Sequence, residues 1–132
     1  MTREEREKAL EELGFSADMS HVVWSRIIKD GREQYTTKIT LVYKDLRYTT
    51  DYFVGSAVNR KEISVLDIVW SLYLDGQAGA QTYQEFYNEF GYDADDHETK
   101  RIYKACKNVY KEFWYRVSGD TKRTLEQILE DW

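Results

Sequence analysis

Residues 62–98 hold nine carboxylates and no lysine or arginine: Glu62, Asp67, Asp75, Glu85, Glu89, Asp93, Asp95, Asp96 and Glu98. Such side chains can ligate a hard cation, act as general acid and base, or present a negative field to a basic surface. The densest run, Asp93-Ala94-Asp95-Asp96-His97-Glu98, fails as a calcium loop of the EF-hand type. Acids fall at positions 1 and 3, but position 5 is His97, position 6 is Glu98 rather than glycine, and position 12 is Lys104 rather than glutamate. Asp95 and Asp96 stand where a helix should start, so capping and the helix dipole account for them. Asp93 is not explained that way.

The remaining reactive side chains are few. His21 and His97 are the only imidazoles, and neither has a neighbour at metal-ligand spacing. Cys106 falls within an apolar helical stripe, the setting of a buried, inert thiol. No glycine-rich phosphate loop and no G-x-S-x-G elbow is present. Carboxylates brought together from distant positions, as in nucleases with acidic metal sites, are the one catalytic route left open. The expectation is a protein that is not an enzyme and uses no cofactor or metal.

The elements that position these residues are legible from pattern. Thr2-x-x-Glu5 is a capping box opening a charged helix to about Leu13, stopped by Gly14. Only Ala9, Leu10 and Leu13 can pack, so this helix is expected to be peripheral. Three strands should follow. His21–Lys29 is β-branched and aromatic, with Asp30-Gly31 as its turn. Next, Tyr35, Thr37, Ile39, Leu41 and Tyr43 alternate with Thr36, Lys38, Thr40 and Val42. After Lys44-Asp45, Tyr48, Thr50, Tyr52 and Val54 alternate with Arg47, Thr49, Asp51 and Phe53. Short turns imply an antiparallel meander, one face of which helices must cover.

The second half reads as helical. Ser64-x-x-Asp67 opens a helix whose buried stripe is Val65, Leu66, Ile68, Val69, Leu72 and Tyr73, followed by a small-residue loop at Gly76–Ala80. Thr82-x-x-Glu85 opens another, with Tyr83, Phe86, Tyr87 and Phe90 along its inner face and Gly91 as its left-handed end. The longest helix starts at Asp95 or Asp96, buries Ile102, Cys106, Val109, Phe113 and Val117, and is broken at Ser118-Gly119-Asp120. A last short helix runs to about Asp131. The fold class is α+β: an N-terminal helix, a three-stranded antiparallel meander and a C-terminal bundle of three to four helices, in a single domain over 1–132.

Net charge is −5 over 132 residues, with 42% hydrophobic and 33% charged residues, as in a folded domain large enough to bury a core. Residues 62–99 sum to −9 and residues 100–116 to +5. An acidic total disfavours a dedicated duplex-DNA binder. Eleven tyrosines and four tryptophans supply aromatic area suited both to a core and to an interface. A single cysteine, a charged N-terminus and no apolar run of membrane-spanning length point to the cytoplasm.

The stretch VLDIVWSLYLDGQAGAQTYQEFYNEFGYDADDHETKRIYKACKNV resembles a block found in small uncharacterised proteins of tailed bacteriophages and prophages. There a "DVLxSLxxDA" helix leads to "FEEFCxEFGYDxDS" and then a "TYxACQ" helix, after an N-terminal meander. Leu66, Ser71, Leu72, Asp75, Phe86, Glu89, Phe90, Gly91, Tyr92, Asp93, Asp95, Tyr103, Ala105 and Cys106 carry the likeness, which spans about residues 46–110. It departs at Tyr87 and Lys107. The resemblance implies a setting rather than a mechanism, since such proteins are commonly modulators of the bacterial host, including inhibitors of CRISPR systems.

The expected function is therefore a phage-encoded, non-enzymatic inhibitor in the bacterial cytoplasm. Its partner would be a host defence protein, of CRISPR effector type, with a basic nucleic-acid-binding surface that paired carboxylates can occupy. Glu85, Glu89, Asp93, Asp95 and Asp96 are the expected contacts, with Tyr92 as an aromatic anchor. The alternatives are direct nucleic-acid binding by the sheet tyrosines and the basic helix 100–116, and sequestration of a nucleotide signal in an aromatic, basic pocket.

Overall fold

The computed structural model describes residues 1–18, 23–29, 31–54 and 63–132. They form helix α1 (Arg3–Leu13), strands β1 (Phe15–Asp18), β2 (Ser25–Lys29), β3 (Arg32–Tyr43) and β4 (Leu46–Val54), and helices α2 (Val65–Ala80), α3 (Tyr83–Phe90), α4 (His97–Glu112) and α5 (Gly119–Leu129). A 3-10 turn at Trp114–Arg116 follows α4. The class is α+β, as expected. Two compact units are present, Met1–Val69 with Ile128–Trp132, and Trp70–Gln127.

In the first unit, α1 opens with the full reciprocal capping box of Thr2 and Glu5 and closes on Gly14 in the left-handed conformation. Burial on this helix differs from expectation in one residue. Leu10 is buried, and so is Arg6, whose guanidinium donates to the carbonyls of Ile128 and Glu130 and lies 5.7 Å from the Trp132 ring. A buried charged donor is tolerated here because it satisfies carbonyls at the end of α5.

The sheet has four strands rather than three. Phe15–Asp18, to which the sequence pattern assigned no element, forms β1 and pairs with residues 40–43 of β3, while β2 pairs with residues 32–36 on the same edge of β3. β4 takes the other edge, from Tyr35↔Val54 to Tyr43↔Leu46. β2 begins at Ser25, not His21; Asp30 of the predicted turn and residues 21 and 22 lie outside the described residues. A twelve-residue β3 is long enough to hold two short strands end to end along one side, which a strand-by-strand reading does not reveal.

Alternation along β3 and β4 fell as predicted. Ile39, Leu41 and Tyr43 are buried with Phe15, whose ring lies 4.6 Å from that of Tyr43. Tyr35, Tyr48 and Tyr52 are half-buried on the same face. The opposite face is polar and paired across strands: Lys38 to Asp51 at 2.9 Å, Arg47 to Asp18 at 3.3 Å, and Thr40 to Thr49 at 2.8 Å between hydroxyls.

The second unit corrects the sequence reading at two points. Gly76–Ala80 is not a loop, because α2 continues through Ala80. A Cβ at Gly76 would strike the Trp114 ring, and one at Gly79 would overlap the backbone carbonyl of Cys106. These glycines permit close packing within a helix, which outweighs their poor helix propensity. Trp114 fills the space left at Gly76: its indole N–H donates to the Leu72 carbonyl at 2.9 Å, and its ring meets Tyr73 and Phe113 edge-on. The second correction is at the end of α4, which stops at Glu112 rather than running to Val117. Phe113 leaves helical geometry at φ −127° and ψ −69°, and the turn 114–116 delivers Trp114 and Val117 to the core.

Candidate interaction surface

The predicted contact residues lie on α3 and the loop 91–96, which leads into α4, all within the second unit. The capping box of Thr82 and Glu85 opens α3, and Gly91, at φ +70°, ends it after two turns. Loop 91–96 is then fixed by its own acids. Asp93 accepts from the Asp95 amide at 2.9 Å, and Asp96 caps α4 by accepting from the Glu98 amide at 2.9 Å. The Tyr83 hydroxyl donates to the Ala94 carbonyl at 2.6 Å and ties the loop back to the first turn of α3.

An aromatic cluster supports this loop. Phe86 is buried, with ring centroids of Phe90 at 5.2 Å, Tyr92 at 5.6 Å and Tyr103 at 5.2 Å. Tyr103 in turn donates to the Gln81 carbonyl at 2.7 Å. Phe90 and Tyr92 stack at 6.1 Å with an interplanar angle of 30°, and they remain 48% and 42% exposed. Phe90 was assigned to the buried stripe from its spacing. It sits on the last turn of a two-turn helix, where the chain departs at Gly91 and leaves its ring half exposed.

The five carboxylates are all exposed. Asp95, Asp93 and Asp96 act together on Tyr83, whose phenol is raised above its ordinary value first by burial and then by their negative charge. Glu85 and Glu89 are i, i+4 neighbours about 160° to 120° around α3 from Tyr83, so they form a second group on another face. Their hydrogen bonds are to Thr82 and Gln81 respectively. Among the described residues none of the five forms a salt bridge. In the α4 region Arg101 grips Glu98, three residues away on the same helix, and this bond pushes the Arg101 guanidinium up. Lys107 lies 5.5 Å from the Tyr103 ring.

Other acids of the block are engaged elsewhere. Asp67 accepts from Arg3 at 2.7 Å and from the Ser64 amide at 3.0 Å; Glu62 lies outside the described residues. Burial alone raises Asp75, and Cys106 is pushed up to about 11 by burial and then by Asp75. Such a thiol stays protonated at neutral pH. No group of three or more His, Cys, Asp or Glu is placed to hold a metal ion among the described residues, and His21 lies outside them. The tyrosine face of the sheet, offered as a base-stacking platform, is the covered face: Tyr43 is 6% exposed.

No helix among the described residues is long and apolar enough to cross a membrane. No protein-family model, curated protein or solved structure matches the chain.

Proposed function

We propose that this protein is a phage-encoded, non-enzymatic inhibitor that occupies the basic nucleic-acid-binding surface of a bacterial defence protein. The observation that carries the reading is the segment 85–96. Four of its carboxylates, Glu85, Glu89, Asp93 and Asp96, are held by hydrogen bonds to hydroxyl, side-chain amide and backbone amide groups rather than by cations, and all five are exposed, so their charge stays directed at solvent. A cationic counterpart meets a preordered negative surface there, and its approach is accelerated by the same field. The stacked Phe90–Tyr92 pair adds apolar area of the kind that anchors interfaces, and aromatic faces also receive arginine side chains. The phage setting comes from the residues of the 46–110 block alone.

Capture of partners from bacterial lysate on the immobilised protein, with mass spectrometry, tests the class. A nucleic-acid-binding defence protein, released by raised salt, is the expected result. The triple variant Glu85→Lys, Glu89→Lys, Asp93→Lys should then lose both capture and inhibition while keeping its circular dichroism spectrum. Undiminished inhibition by the folded variant overturns the reading. Direct nucleic-acid binding is the second reading, favoured by the exposed Lys100, Lys104 and Lys111 on α4. Salt-sensitive shifts of single-stranded or duplex probes at micromolar protein would select it, and stabilisation by cyclic nucleotides in a thermal-shift screen would select signal sequestration.

A further inference from the structure

β4 is a nine-residue strand bonded to β3 through one continuous register, and among the described residues no strand pairs with its other edge. It contains no proline or glycine, and no bulge interrupts its pairing. An edge of this length presents a row of N–H and C=O groups, and folded proteins usually guard such a row with repelling charges, prolines or bulges. The charges here do the opposite. Arg47 and Asp51 lie on the same polar face, two residues either side of Thr49, with opposite signs.

We propose that this edge is an interaction surface whose partner is the same edge of a second copy of the chain, joined antiparallel about a twofold axis at Thr49. That register places Arg47 opposite the partner's Asp51 twice and Thr49 opposite its own counterpart. It also extends contacts present within one chain. Lys38 lies 2.9 Å from Asp51, and Arg47 lies 3.3 Å from Asp18. Across the axis the order becomes Lys38, Asp51, the partner's Arg47, the partner's Asp18, with signs alternating throughout. The 2.8 Å contact between Thr40 and Thr49 hydroxyls likewise continues into the partner's threonines.

Neighbouring registers that keep each face in step are worse. Centring on Tyr48 opposes Asp45 to Asp51, and centring on Asp51 opposes that residue to itself. Centring on Thr50 sets Arg47 against Phe53. Like charges directly opposite are unfavourable and unlike charges favourable, so charge selects the Thr49 register. The result is two four-stranded sheets fused edge to edge through β4, with reversible association because each exposed pair contributes little.

Sedimentation equilibrium on the full chain tests this. The wild type should form a dimer that weakens with salt. Arg47→Asp leaves two negative charges on the edge and Asp51→Arg two positive ones, and each should raise the dissociation constant about tenfold or more. The double variant R47D/D51R restores complementarity and should return to within about threefold of wild type. A mixture of the two single variants should associate as a heterodimer. Thr49→Lys, which sets two cations on the axis, replaces either single variant should circular dichroism show it unfolded. A wild type that stays monomeric at the highest concentration reached, single variants that dimerise normally, or a double variant as weak as the singles overturns the proposal.

Discussion

The polar face of the sheet and the segment 85–96 both carry exposed acids, and they treat them differently. On the sheet Asp51 meets Lys38 on the adjacent strand, and Asp18 on β1 meets Arg47 of β4 across the intervening β3. In the helical unit, at helix starts, the Asp96 carboxylate accepts from the Glu98 amide and that of Glu85 from the Thr82 amide and hydroxyl, while Asp93 accepts from the amide of Asp95. The first arrangement cancels charge, whereas the second fixes the position of a charge without cancelling it. Carboxylate content therefore says little about a surface until the partner of each oxygen is known.

The strongest way to break this comparison is to remove the packing that holds the second region. Gly79→Ala sets a methyl group against the Cys106 carbonyl, a backbone atom that cannot step aside. A loss of about 3 kcal/mol or more is expected in urea unfolding, against a gain of only about 1 from helix propensity. An unchanged midpoint would mean that α2 and α4 do not approach as described.

Alkaline pH should act next. Tyr73 is raised to about 12, mainly by burial and then by its 2.5 Å hydrogen bond to Glu126, and Cys106 to about 11. Both folded values lie above the ordinary ones of 10.0 and 9.0, so the folded state favours the protonated forms. Their contribution is complete below pH 9 and is lost as pH rises through 11 to 12. Solvent screening limits this to on the order of 1 kcal/mol. The variant Y73F/C106A should show a shallower decline of unfolding free energy between pH 9 and 12.

Asp96→Ala and Asp95→Ala, one residue apart, sharpen the division of roles within the loop. The first removes the cap of α4 and should cost about 1 kcal/mol, while the second should change stability by less than about 0.5 kcal/mol. Equal effects in thermal unfolding would erase the distinction between capping and displayed charge. Asp51→Asn, which breaks one matched pair on the sheet, should have the smallest effect, below about 0.5 kcal/mol.

Much of this arrangement was legible in the chain because it depends on neighbours within four residues. The capping boxes of Thr2 with Glu5 and of Thr82 with Glu85 formed as their spacing predicted, and Gly14 and Gly91 took left-handed conformations. The faces of β3 and β4 followed from alternation. The candidate residues Glu85, Glu89, Tyr92, Asp93, Asp95 and Asp96 are exposed, yet their division into a Tyr83-facing group and an α3 face was not foreseen, since it depends on how the loop turns back.

What the sequence determined alone was local: where helices start, which strand residues share a face, and which carboxylates cap. Tertiary structure decided the rest, because each remaining feature depends on an approach between distant residues. Gly76 and Gly79 belong to a helix since Trp114 and Cys106 come within contact of them. Arg6 is buried since two carbonyls from the chain's far end require a donor. β1 is a strand since β3 extends far enough to pair with it. The charge of the segment 85–96 remains on display since the fold brings no cation into salt-bridge range of those five carboxylates among the described residues.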